Sequence, residues 1–282
     1  MERRGRVEGK VAIVTGAGST PGPGVGTGRA TAIVLAREGA SVLLADVQAE
    51  RAQETRRLIE DEGGVAATFP GDMTKAEDCE AMVGFALDAF GTVDILVNNI
   101  GVAVQGSVVD TSEADWDRVL DTSLRTTFLA SRYAVPIMAA KGAGAIVNIG
   151  SISGFRGSGY VAYSAAKGGV HALTVDMAYS HGWHGIRVNA VAPGHITTPL
   201  LYAARGHTPE TDFRQRLAAA SGLLGTEGNG WDVAWAATFL ASDEARWITG
   251  VILPVDSGVM AVTPLMMAAS VRGVAPFPTA VS

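Results

Sequence analysis

Tyr163 and Lys167 stand four residues apart in "YSAAK", a spacing that places both on one face of a helix, one turn apart. An ammonium so close to a phenol favours phenolate and draws its pKa down from the ordinary value near 10. A phenol tuned in this way can exchange a proton with a substrate oxygen. Ser151 closes the apolar run "GAIVNIGS" twelve positions before Tyr163. A second constellation points to a dinucleotide. Residues 15–32, "TGAGSTPGPGVGTGRATA", hold six glycines and two prolines between the run "VAIVT" and an alanine-rich segment. A glycine-rich turn from strand to helix lets the backbone approach a pyrophosphate and aims the helix N-terminus at it. Asp46 ends the run "SVLLADV", where a carboxylate accepts hydrogen bonds from ribose hydroxyls and repels a 2′-phosphate, so NAD is expected over NADP. No basic residue lies between Gly16 and Gly28, Val47 follows Asp46, and Arg29 and Arg37 are assigned to a helix surface.

Alternating elements must position these residues. "KVAIVTG", "SVLLADV", "VAATFPGD", "VDILVNNIG", "GAIVNIGS", "IRVNAVAPG" and "VILPVDSG" read as buried strands, with helical stretches between them. Strands apolar at every position imply a parallel sheet covered on both faces, a Rossmann-like doubly wound α/β fold of about seven strands. Ligands in such sheets bind beyond the strands' carboxyl ends, where Gly, Asp, Asn and Ser cluster here. The 282 residues contain no linker-like stretch, so one domain is expected over 1–282. No apolar run reaches membrane-spanning length, and "MERRGRVEGK" has no apolar stretch behind it. The lone Cys79 precludes an internal disulfide, and a cytoplasmic location is expected. A net charge of -6 without a Lys/Arg stripe argues against nucleic acid as a partner, and the five histidines show no metal-ligand spacing.

The order and spacing of these motifs resemble the short-chain dehydrogenase/reductase family from about Gly9 to Gly258. They are Thr15-Gly16 with the later glycines, Asp46, "GDMT", "NNIG", Ser151, "YSAAK", "NAVAPGHITTP" and "ITGVILPVDSG". The resemblance implies an NAD(P)-dependent oxidoreductase interconverting a secondary alcohol and a ketone. In that scheme Tyr163 is the acid/base, Lys167 also holds the nicotinamide ribose, and Ser151 hydrogen-bonds the substrate oxygen. Asn98, Ile100 and Gly101 line the adenosine and ribose side, and Asp72 and Met73 contact the adenine. Pro193, Gly194, Ile196 and Thr198 hold the nicotinamide carboxamide. A homotetramer is implied as well.

Two positions depart from the family pattern. "DTSL" places Ser123 where the family has an asparagine that holds a water beside the lysine, and a hydroxyl is shorter than an amide. In the glycine loop, Gly16, Gly26, Thr27 and Gly28 are preferred as the phosphate-binding register because "GRATAIVLAREG" begins there; Gly18, Gly22 and Gly24 spell a competing one. The intervening "STPGPGV" reads as an insertion that either shapes the pyrophosphate pocket or is tolerated on the surface. Residues 194–230 are expected to form a substrate lid, in which His195, Tyr202, Arg205 and His207 can meet a polar group. Residues 259–282 are expected to form an apolar tail that packs on a neighbouring subunit or over the site. Two other functions stay open: a catalytically silent dinucleotide sensor or scaffold, and reduction of an imine or enone.

Overall fold

Seven of the apolar runs pair into one parallel sheet in the computed structural model, which describes residues 5–199 and 222–261. In chain order the elements are β1 (Val11–Thr15), α1 (Thr27–Arg37), β2 (Ser41–Asp46), α2 (Ala49–Asp61), β3 (Val65–Pro70), α3 (Ala76–Phe90) and β4 (Ile95–Asn98). There follow α4 (Glu113–Leu120), α5 (Thr126–Lys141), β5 (Gly144–Ile149), α6 (Val161–His181), β6 (Ile186–Pro193), β7 (Ile196–Thr197), β8 (Gly228–Asn229), α7 (Gly230–Ala241) and β9 (Ile252–Val255). The sheet order is β3-β2-β1-β4-β5-β6-β9, every pairing parallel. The order reverses at β1 and β4, so the crevice beyond their carboxyl ends is where this topology binds ligands.

Successive strand residues bury on opposite faces. Ala12, Val14, Val42, Leu44 and Val97 face a core shared with α1 and α7, whereas Ile13, Leu43, Leu96 and Ile146 face one shared with α3, α5 and α6. Each fully buried aliphatic contributes about 1.5–3 kcal/mol, so neither face can slip register by one residue without burying the wrong set. Cys79 lies in the second core, where burial pushes its thiol up to about 12, an inert group.

The stretch between β4 and β5 is not one regular helix. α4 is capped by Ser112, whose hydroxyl accepts from the Asp115 N–H at 3.1 Å, and gives way to a π-helical turn over Asp121–Arg125 before α5. Such a bulge inserts an extra residue into the helical ladder, and Ser123 sits within it, fully buried. The central part of the expected lid, residues 200–221 with Tyr202, Arg205 and His207, and the tail beyond 261 lie outside the described residues.

Candidate active site

A groove of about 610 Å³ runs along the carboxyl ends of β1, β2, β4, β5 and β6. One end is built from the glycine loop and Asp46. Gly16 follows β1 at φ +64°, a left-handed conformation that glycine adopts without strain. A methyl group on Gly28, in the first turn of α1, would collide with the Gly16 carbonyl oxygen and lie 2.5 Å from Asn99 Nδ2. The helix is thus drawn against the strand at Gly28. Gly26 is the N-cap of α1 and offers no side-chain cap, and the first turn carries no acid, so its N–H groups are available to an anion. Gly18 is equally confined, because a methyl there would lie 2.5 Å from Arg51 Cβ and 2.9 Å from Asp46 Oδ2. By contrast Gly22 and Gly24 are exposed and lie beside Pro199 and Thr197, away from α1. The competing register therefore does not supply the close approach between helix and strand.

The Asp46 carboxylate is fixed by two backbone donors, Gly18 N–H on Oδ2 and Gln48 N–H on Oδ1, each at 2.9 Å. Val47, Asp72 and Met73 continue the same wall. The Thr74 hydroxyl and N–H hold Asp72 below the usual carboxylate range. Arg51, in the first turn of α2, lines this end and donates to Thr20 Oγ1 at 3.4 Å. No motif selects it, since a lone arginine in "QAERAQE" reads as an exposed helical residue.

Of the "NNIG" residues, Ile100 and Gly101 line the groove, but the Asn98 side chain does not. Asn98 is buried, and its Nδ2 donates to Ser131 Oγ at 3.1 Å and to Asn148 Oδ1 at 2.9 Å. Asn148 in turn donates to Thr174 Oγ1 at 2.9 Å, so this chain of amides ties β4 and β5 to α5 and α6. Side chains alternate across a strand, and it is Asn99 that faces the groove, donating to Gly16 O at 3.0 Å.

The other end gathers Ser151, Tyr163 and Lys167 with Pro193, Gly194, Ile196 and Thr198. Lys167 is buried, and its ammonium donates to Ile149 O at 2.6 Å and lies 5.7 Å from the centre of the Tyr163 ring. Burial lowers Lys167 to about 8. It raises Tyr163, against a hydrogen bond with Ser151 that pulls the phenol down. The depression expected from helical spacing alone is thus outweighed in the protein by desolvation. Ser123 does not line the groove but lies behind it. Its hydroxyl accepts from Val102 N–H at 3.2 Å, and a methyl group at Gly101 would stand 3.5 Å from it and 3.3 Å from Lys167 Nζ. Among the described residues, no three His, Cys, Asp or Glu side chains gather as metal ligands.

One buried base beneath this site had no sequence signal beyond its helical phase. His171, one turn beyond Lys167, is 7% exposed, and neither ring nitrogen has a hydrogen-bond partner among the described residues. Its ring packs 4.4 Å from that of Phe155 and leaves room only for glycine at 150 and 154, where methyl groups would lie 2.5 Å and 2.6 Å away. Burial, then Lys167, lowers it to about 4. The unfolded chain binds this proton near pH 6.5 and the native one resists it, so the stability is present above 6.5 and lost as pH falls to 4. We expect about 3 kcal/mol of acid destabilisation from this group over that window. Urea unfolding at pH 7 and pH 4.5 would show it, and His171→Leu should flatten the response; an equal loss in the variant would refute the assignment.

Comparison with known proteins agrees with this geometry. A family model described as enoyl-(acyl carrier protein) reductase matches residues 24–260. A solved chain from Burkholderia xenovorans, described as a short-chain dehydrogenase/reductase, is 40% identical with a TM-score of 0.88, covering 92% of this chain and 99% of its own. The chain belongs to the short-chain dehydrogenase/reductase family. It is an oxidoreductase of a family that binds a nicotinamide dinucleotide and acts on alcohols and ketones. Cyclohexanol dehydrogenase of Acinetobacter sp. (strain SE19) is 39% identical over 88% of this chain and 93% of its own. A 7α-hydroxysteroid dehydrogenase complexed with NADH and 7-oxo glycochenodeoxycholic acid is 34% identical with a TM-score of 0.81, over 90% of this chain and 95% of its own. Among the described residues of this dehydrogenase/reductase, no helix is long and apolar enough to cross a membrane.

Proposed function

We propose that the protein interconverts a secondary alcohol and a ketone with NAD as cofactor and Tyr163 as the acid/base. The observation that carries this reading is the convergence of Ser151, Tyr163 and Lys167 at one end of a groove whose other end is closed by Gly16, Gly28 and Asp46. The groove fits a dinucleotide: a pyrophosphate meets uncapped helix N–H groups where any side chain larger than glycine would intrude. Asp46 takes the adenosine ribose hydroxyls, and its fixed charge opposes a 2′-phosphate. A bound nicotinamide supplies the hydride donor or acceptor.

The residues of the chain do the rest. In ketone reduction the Tyr163 hydroxyl gives its proton to the carbonyl oxygen as negative charge develops there, and in oxidation the phenolate takes it back. Ser151 donates a hydrogen bond to the same oxygen and holds it within reach. The Lys167 ammonium, held by Ile149 O, faces the phenol and stabilises its anionic form. This requires Lys167 protonated, so in the free enzyme kcat/KM should fall as pH rises through about 8. The exposed Tyr179, Trp183 and Trp247 support a homo-oligomer, which light scattering would read as a multiple of the chain mass.

The test is a panel of secondary alcohols, ketones and enones assayed by absorbance with NAD and with NADP. Oxidation of alcohols with NAD, at a kcat/KM about a hundredfold above that with NADP, is the expected result, since a like charge at Asp46 costs several kcal/mol. Equal use of both cofactors would remove Asp46 from its role. Turnover of enones alone would replace the alcohol reading, and no turnover beside tight NADH binding would favour a silent sensor.

A further inference from the structure

The His171 ring stands between the two glycines at either end of the turn that carries Ser151. A methyl group on Gly150 would lie 2.5 Å from Nε2 and 2.9 Å from Cδ2, and one on Gly154 would lie 2.6 Å from Cε1 and 2.8 Å from Nδ1. Two different edges of one flat ring therefore abut the two ends of the turn. Phe155, the next residue, closes over the same ring at 4.4 Å between centres. The backbone of the turn is held mainly from within. It is a single 3₁₀ turn over Ile152–Gly154, a conformation whose hydrogen bonds are poorly aligned. Gly154 N–H donates to Ser151 O at 3.0 Å and Phe155 N–H to Ile152 O at 3.0 Å, and one tie reaches β6 from Gly150 N–H to Val191 O at 2.7 Å.

Ser151 is the N-cap of that turn, and its hydroxyl has two engagements. It accepts from Ser153 N–H at 3.1 Å and hydrogen-bonds Tyr163, so both depend on where the turn sits. An imidazole is a costly filler for this position. His171 is 7% exposed and neither ring nitrogen has a partner among the described residues, whereas an aliphatic side chain of similar volume strands no polar atom. What the aliphatic lacks is the shape. Leucine carries two methyl groups that cannot share the plane of a ring, and the glycines already stand too close to the imidazole edges to admit one.

We infer that His171 is a positioning residue for the reaction, propping the turn from Gly150 to Phe155 so that the Ser151 hydroxyl meets both Tyr163 and the substrate oxygen. The inference rests on the alcohol and ketone reading above, but one of its readouts needs no turnover. His171→Leu should lower kcat for ketone reduction by about ten- to a hundredfold, the range of an ångström-scale misplacement, with NADH affinity within about twofold of the parent. Its Tm at pH 7 should not fall, because removal of two stranded nitrogens offsets the displaced turn. Activity and stability then move apart, which a ring that served packing alone would not allow. His171→Asn, whose amide is also flat and reaches the Nδ1 position, should recover about threefold or more of the lost kcat. In a Ser151→Ala background, His171→Leu should cost kcat no more than about twofold further, because its effect passes through the missing hydroxyl. Hydrogen exchange read by mass spectrometry should show residues 150–156 exchanging about tenfold faster or more in His171→Leu, with β6 unchanged. Parent-like kcat and exchange in that variant, a loss of kcat that brings Tm and NADH affinity down with it, or a loss that persists undiminished without the Ser151 hydroxyl would each overturn the inference. If no alcohol or ketone turns over, exchange decides alone: acceleration confined to the turn supports the prop, and its absence counts against it.

Discussion

Tyr163→Phe should lower kcat by about a thousandfold or more while leaving NADH affinity within about twofold of the parent. Positioned acid/base groups contribute about 10²–10⁴ to rate, and in the proposed mechanism the hydroxyl is the group that moves the proton. The phenyl ring keeps its packing on Val119, Ala162 and Ala166, so the fold has no reason to respond. What is lost is the hydrogen bond with Ser151 and the proton it carries. Steady-state rates beside a fluorescence titration with NADH separate the two effects. Turnover near the parent level in the phenylalanine variant would exclude Tyr163 as the acid/base.

Gly28→Ala should abolish cofactor binding at working concentrations, a loss of about a hundredfold or more, and lower Tm by several degrees. The added methyl meets the Gly16 carbonyl oxygen and Asn99 Nδ2. Neither can move aside cheaply, since one is backbone and the other is held by hydrogen bonds to Gly16 O at 3.0 Å and Thr15 O at 3.3 Å. Overpacking of this kind costs about 1–3 kcal/mol, and each kcal/mol lowers Tm by about 2–4 °C in a chain approaching this size. Relief of the clash pushes α1 off β1 and withdraws its N–H groups from the pyrophosphate. Gly84→Ala on α3 is the matched control, because a methyl there meets nothing within 4 Å, and it should leave both readouts unimpaired. An NADH titration of both variants, with thermal unfolding alongside, checks the pair; parent-like affinity in Gly28→Ala would mean that the phosphates bind elsewhere.

Much of this site was legible before folding because it depends on local geometry. Helical spacing alone puts Tyr163 and Lys167 on one face, and a strand apolar at every position, such as "VAIVT", demands cover on both sides. Asp46 could be placed because it is the acid that ends such a strand. The Asn98 and Asn99 pair could not be resolved in the same way. Both are asparagine at a strand end, and only the phase of β4, fixed by burial of Leu96 in one core and Val97 in the other, decides which faces the groove.

The amino-acid order by itself determined the doubly wound sheet, the shared helical face of Tyr163 and Lys167 and the place of Asp46 at the end of its strand, since each follows from spacing within one element or its end. Tertiary structure alone decided the rest. It selected Gly28 over the exposed glycines, brought Arg51 to Thr20 and Arg156 to His195, and reversed the expected direction of the Tyr163 pKa. The reason is common to all of these: close approach between distant segments and the desolvation that accompanies it arise from packing in three dimensions, which no local period in a sequence encodes.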